Sequence, residues 1–160
     1  MKLLEPGAVV DGFVVRECIH AGGMAHIYRV EYASGAPAPG FPMAMKIPRM
    51  TAGDGAENIV GFEVELQILP ALTGPHVPRF VAAGDLHRLP YITMEYLQGH
   101  TLQHWLDASE RPDEELIARL GTALAHAVHS LHQQNACHLD LKPGNVLFTH
   151  ENHAVLLDFG

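Results

Sequence analysis

Cysteine, lysine and long apolar runs are all scarce in this chain. Its two cysteines, Cys18 and Cys137, are too few among 160 residues for a disulfide framework. A reducing, cytoplasmic setting is the expectation. There are three lysines, Lys2, Lys46 and Lys142, no basic run, and a formal net charge of −8. That balance argues against a nucleic-acid or anionic-membrane surface. No stretch approaches the length of a membrane-spanning helix. The start, Met1-Lys2-Leu3-Leu4-Glu5-Pro6, is too short in apolar residues for a signal peptide. No internal repeat, HExxH or Cys/His ligand set occurs. Histidine is plentiful, with twelve in all. His126, His129 and His132 step round a helix at intervals of three, and solvated or core imidazoles account for them better than a metal site.

With 48% hydrophobic residues the chain can bury one core. Phe13 to Ile19 and Ala25 to Tyr32 read as a hairpin about Gly22-Gly23, and Met43 to Ile47 as a third strand closed by Pro48. Residues 33–42 are a Pro/Gly/Ala loop. Ile59, Phe62, Leu66 and Leu69 recur at helical spacing from Ala56 until Pro70. Arg79 to Ala83 and Tyr91 to Tyr96 predict two more strands, and Thr101 to Ala108 a short helix after Gly99. The longest helix runs from Pro112 to Gln134, with Asp113, Glu114 and Glu115 opposing its positive end. Leu116, Leu120, Leu124, Ala127 or Val128, and Leu131 form its apolar stripe. Val146 to Phe148 and Ala154 to Leu157 close the reading as short strands.

The chemistry concentrates near the end. His138-Leu139-Asp140-Leu141-Lys142-Pro143-Gly144 leads into Asn145, and thirteen positions later comes Asp158-Phe159-Gly160. An Asp, an Asn five positions on, and an Asp between an apolar strand and a turn supply hard oxygen atoms. This spacing resembles the catalytic loop and metal-binding motif of protein kinases. Lys142-Pro143 and Gly22-Gly23-Met24 look like the bacterial serine/threonine type.

The resemblance implies an α+β, protein-kinase-like fold. Residues 1–97 would form the N-lobe, a five-stranded antiparallel sheet with one helix, and the hinge. Residues 98–160 would form the helical start of the C-lobe, incomplete after Asp-Phe-Gly. It implies an ATP-dependent protein serine/threonine kinase, with ATP and Mg2+ as its cofactors.

Lys46, in Met43-Ala44-Met45-Lys46, resembles the lysine of the family's V-A-I-K strand. Periodicity alone leaves Glu63 and Glu65 level as its anion; the resemblance picks Glu65, followed by Leu69 and Leu72. Asp140 would be the base, Lys142 would meet the transferred phosphate, and Asn145 and Asp158 would hold the metal. Ile19, Ala21, Gly22, Gly23 and Ile27 would cover the nucleotide, with His20 and Ala25 standing where the family has glycines. Ile27, Ala44 and Leu147 would join Ile19 about the adenine, Met94 would be the gatekeeper, and Glu95 and Leu97 would bond the purine edge through their backbones. His138 would brace the loop.

Leu139 stands where most regulated kinases carry Arg, so activation-loop phosphorylation is not expected to switch this enzyme. The chain reads as a fragment whose remaining C-lobe is missing. As such it is expected to expose apolar surface, to associate, and to be unable to phosphorylate a protein alone. The protein substrate is not legible. Two further readings are a pseudokinase or nucleotide-binding scaffold, and a small-molecule phosphotransferase of the aminoglycoside or choline type.

Overall fold

Asp11-Gly12 opens the fold with a feature the sequence reading passes over. Both residues have positive φ (45° and 86°), the backbone of a tight two-residue hairpin turn. It joins β1 (Val9–Val10) to β2 (Phe13–Ala21), with Val10 opposite Phe13. A computed structural model describes residues 3–33, 39–49, 55–86, 88–108 and 113–159, with side chains in the first helix from residue 59. Lys2, Pro112, Gly160 and much of the Pro/Gly/Ala loop lie outside the described residues.

The chain folds as two units. The first comprises residues 1–66 and 80–96. Here β3 (Ala25–Tyr32), β4 (Met43–Pro48), β5 (Phe80–Ala83) and β6 (Ile92–Glu95) continue the sheet in the order β1-β2-β3-β4-β6-β5, all neighbours antiparallel. The sheet thus has six strands, where the sequence suggested five. Strand alternation sorts its faces. Val15, Tyr28, Val30, Met43, Met45 and Ile47 enter one core with Phe13 and Tyr91. Phe13 stacks on Tyr32 at 5.0 Å and meets Tyr91 edge-on at 6.2 Å. Each such buried side chain contributes about 1.5–3 kcal/mol. α1 (Gly55–Ile68) belongs mainly to this unit.

The second unit comprises residues 67–79 and 97–160. Residues 67–79 fall here, not with the N-terminal 97 residues, because long-range bonds hold them. Thr73 N–H donates to the Gln134 side chain (2.8 Å), and Leu156 N–H donates to His76 O (2.9 Å). β7 (Gly99–Thr101), β8 (Val146–Thr149) and β9 (Ala154–Leu156) form a three-stranded antiparallel sheet. Gly99, expected only to break the chain, pairs with Thr149. A Cβ there would lie 2.1 Å from Phe148 O, so only glycine allows the approach.

Thr101 caps α2 (Leu102–Asp107), and Asp113 caps α3 (Glu114–Gln133) by accepting from Leu116 N–H at 2.7 Å. Leu120, Ala127 and Leu131 are the buried part of the α3 stripe, and α3 packs on β9. His126, His129 and His132 are all exposed. Among the described residues, no helix is long and apolar enough to cross a membrane.

Candidate active site

The first unit presents its site on the sheet face opposite the core. Cross-strand partners share a face. Ile27, Lys46 and Ile92 form one row, and Arg29, Ala44 and Met94 the next. Ile27, Ala44, Lys46 and Met94 therefore share that face. Lys46 Nζ reaches Glu65 Oε2 at 2.6 Å, the Glu65 side chain being only 2% exposed. Burial separates what periodicity could not: Glu65 is covered, while Glu63 is only partly so.

The hairpin turn spans Gly22 to Met24, with Ala21 opposite His26 as its last pair. None of its residues has positive φ, nor have His20 and Ala25. Ile19 lies in a β-bulge and is exposed; His20 is the partner of Ile27 instead. Past β6, Tyr96 N–H donates to Pro42 O at 2.8 Å. Because alternate residues aim their backbone groups at opposite strand edges, those of Glu95 point away from β4.

The second unit builds a loop around Asp140. Its N–H closes a tight turn onto His138 O at 2.8 Å, with Leu139 at the apex in left-handed backbone (φ 61°). Asp140 Oδ2 accepts from Lys142 Nζ at 2.5 Å and from Asn145 Nδ2 at 3.2 Å. Asn145 Nδ2 also donates to Asp140 O at 3.0 Å. The Lys142 ammonium, with Asn145 assisting, holds the Asp140 carboxyl below its ordinary range, so it stays an ionised acceptor at neutral pH. His138 is buried; its Nε2 bonds to Leu157 O at 2.9 Å and its ring lies 5.0 Å from Phe159.

Leu157 N–H donates to Asn145 O at 2.8 Å, which brings Asp158 beside Asn145. Asp158, exposed and at φ 59°, follows directly. Among the described residues the amide nitrogen makes both of Asn145's side-chain bonds, so its oxygen is the atom directed elsewhere. One amide oxygen and one exposed carboxylate suit Mg2+, which usually takes one or two protein oxygens together with substrate phosphates. Among the described residues no group of three His, Cys, Asp or Glu side chains could hold a metal. Leu97, half-buried, begins this unit's second segment, and Leu147 is buried in β8.

A family profile described as "Protein kinase domain" matches residues 19–160. The chain belongs to the protein kinase family. It is 34% identical over its whole length to citron rho-interacting kinase of Rattus norvegicus, of which it spans 8%. It is 31% identical over 92% of its length to serine/threonine-protein kinase PrkC of Bacillus subtilis, spanning 22% of that protein. The solved kinase domain of PknI from Mycobacterium tuberculosis superposes with a TM-score of 0.73 at 27% identity, covering 98% of this chain and 63% of that one. The kinase fold is thus shown, over a small part of the curated relatives' length. Sequence reasoning missed Arg49, which bonds the hairpin turn, and the pairing of His20 with Ile27. No local spacing signals either.

Proposed function

We propose that this kinase domain transfers a phosphoryl group from Mg-ATP to a protein serine or threonine hydroxyl. Asp140 accepts the hydroxyl proton as the oxygen bonds to the γ-phosphorus and the bond to the departing ADP breaks. Lys142 offsets negative charge beside the transferred group, and Lys46, held extended by Glu65, meets the other phosphates. Asn145 and Asp158 would hold Mg2+, which neutralises phosphate charge when bound. Ile19, Ile27, Ala44 and Met94 of the first unit, and Leu147 of the second, are the residues assigned to the adenine. The chain alone is taken to bind nucleotide, with protein phosphorylation assigned to the longer kinase domain in a cytoplasmic setting.

The observation that carries this reading is the bonding of Asp140 to both Lys142 and Asn145. A scaffold that holds nucleotide without turnover has no need of an oriented, ionised base. His20 and Ala25, in place of two glycines, favour that scaffold reading and make the test worthwhile. Mg-ATP should raise the melting temperature of the chain. In the kinase domain, Asp140→Asn should lower γ-phosphate transfer by about 10²–10⁴-fold while nucleotide affinity stays within about twofold. Parallel loss of binding and transfer would remove Asp140 from the role of base.

A further inference from the structure

The Gly22–Met24 turn is bonded asymmetrically. Two of its carbonyls are tied back by one residue: Arg49 donates its main-chain N–H to Met24 O (2.8 Å) and its guanidinium to Gly22 O (3.2 Å). The amides differ. Gly22 N–H bonds across the turn to Ala25 O at 3.1 Å, but no described residue accepts from the N–H of Gly23 or Met24. Gly23 and Met24 are both exposed. Successive main-chain N–H groups in a turn form an anion-binding concavity.

Arg49 follows Pro48, the last residue of β4, and so stands three positions beyond Lys46 on the same continuous segment. One segment thus supplies both the cation of the sheet face and the clasp on the turn. The sequence also explains why a clasp is needed. With His20 and Ala25 in the positions of two family glycines, the hairpin has lost backbone freedom, and none of its residues uses positive φ. His20 Nε2 sits 2.7 Å from where a Gly22 Cβ would be, closing that side of the turn. The Gly22 oxygen and the Gly23 N–H lie on opposite sides of one peptide plane, so an oxygen held elsewhere keeps that amide outward, and a planar, always-charged guanidinium is a suitable partner for it.

We propose that Arg49 is a positioning residue for nucleotide phosphates: its guanidinium holds the Gly22 carbonyl so that the Gly23 N–H, on the opposite side of the same peptide plane, faces the anion, while its main-chain N–H anchors the end of the turn at Met24. This rests on the Mg-ATP reading above and adds to it a residue outside the kinase motifs. The guanidinium touches the turn, not the nucleotide, so its loss affects phosphate recognition and leaves the adenine contacts alone.

Calorimetric titration of the 160-residue chain with Mg-ATP and with adenosine separates these effects. Arg49→Ala should weaken Mg-ATP by about tenfold, the scale of one charge-assisted hydrogen bond, and leave adenosine within about twofold. Arg49→Lys keeps the charge without the planar fork and should fall between the two. In the ligand-free protein, Arg49→Ala should speed amide exchange at Gly22. Unchanged Mg-ATP affinity, equal losses for ATP and adenosine, or unchanged exchange at Gly22 would each overturn the proposal. A wild-type chain that binds adenosine but not Mg-ATP also overturns it alone; one that binds neither overturns the nucleotide reading as well.

Discussion

The two units each hold a lysine–carboxylate pair of nearly the same length and opposite character. Lys46 and Glu65 meet at 2.6 Å with side chains 14% and 2% exposed; Lys142 and Asp140 meet at 2.5 Å with 50% and 49% exposed. Desolvation offsets most of the attraction in the covered pair, so its net stabilisation is small even though losing one member is costly. Water screens the exposed pair, which leaves little stability to gain. The first pair therefore fixes where an ammonium sits on the sheet, and the second keeps a carboxylate ionised and aimed. Length alone does not tell what an ion pair does.

Breaking each pair in turn gives the largest expected contrast. Glu65→Ala strips the main carboxylate from a covered ammonium and should lower unfolding stability by about 3 kcal/mol in urea titrations. Glu63→Ala, two positions away on the same helix, should cost no more than about 0.5 kcal/mol. Lys142→Ala should leave the urea midpoint unmoved. If Glu65→Ala and Lys142→Ala prove equally mild, the difference in burial carries no energetic meaning and the comparison fails.

Acid sharpens the same contrast. His26, buried in β3, has its pKa lowered by burial first and then by the neighbouring Arg49 charge. Asp140 is lowered chiefly by its bond to Lys142. Both are depressed, so for both the unfolded chain binds more protons inside the window, and stability is lost as pH falls. For His26 the loss begins near its unfolded value of about 6.5; for Asp140 it begins only in the carboxylate range. Stability measured from about pH 7.5 downward should therefore start to drop near about pH 6.5 in the wild type, well before any carboxylate titrates. His26→Gln, which cannot protonate, should flatten that limb. An identical slope in the variant would assign the acid sensitivity elsewhere.

Much of this architecture was legible where a period is long enough to read. Met43, Met45 and Ile47 alternate against Ala44 and Lys46, and the α3 stripe recurs over several turns, so β4 and α3 were found close to their limits. β1 and β7 have two and three residues, too few to show a period. β1 had a local signal in Asp11-Gly12, whereas β7 depends on Gly99 meeting Phe148, a partner far along the chain. The transfer of residues 67–79 to the second unit depends likewise on Gln134 and Ala154, which bond Thr73 and His76. At the candidate site, charged residues on a recognised motif could be nominated from sequence. The bond from Arg49 to the Gly22 carbonyl could not be, because a guanidinium on a backbone carbonyl leaves no pattern in sequence.

The smallest effect concerns backbone conformation in the second unit. Among its described residues, four that are not glycine have positive φ: Asn135, Leu139, Asn152 and Asp158. Asn and Asp tolerate this region because their short polar side chains bond locally; leucine does not, and holding an L-residue there costs about 1–2 kcal/mol. Leu139 gains nothing in packing to offset this, since the residue is 93% exposed. Leu139→Asn should therefore stabilise the chain, by about 0.5 kcal/mol once part of the gain is lost to hydrogen bonding in the unfolded state. The matched change Leu131→Asn, at a fully buried helix position, should destabilise it severely. If Leu139→Asn instead weakens the fold, the leucine has a contact that its exposure conceals, and its left-handed turn is held by more than the bond from Asp140 N–H to His138 O.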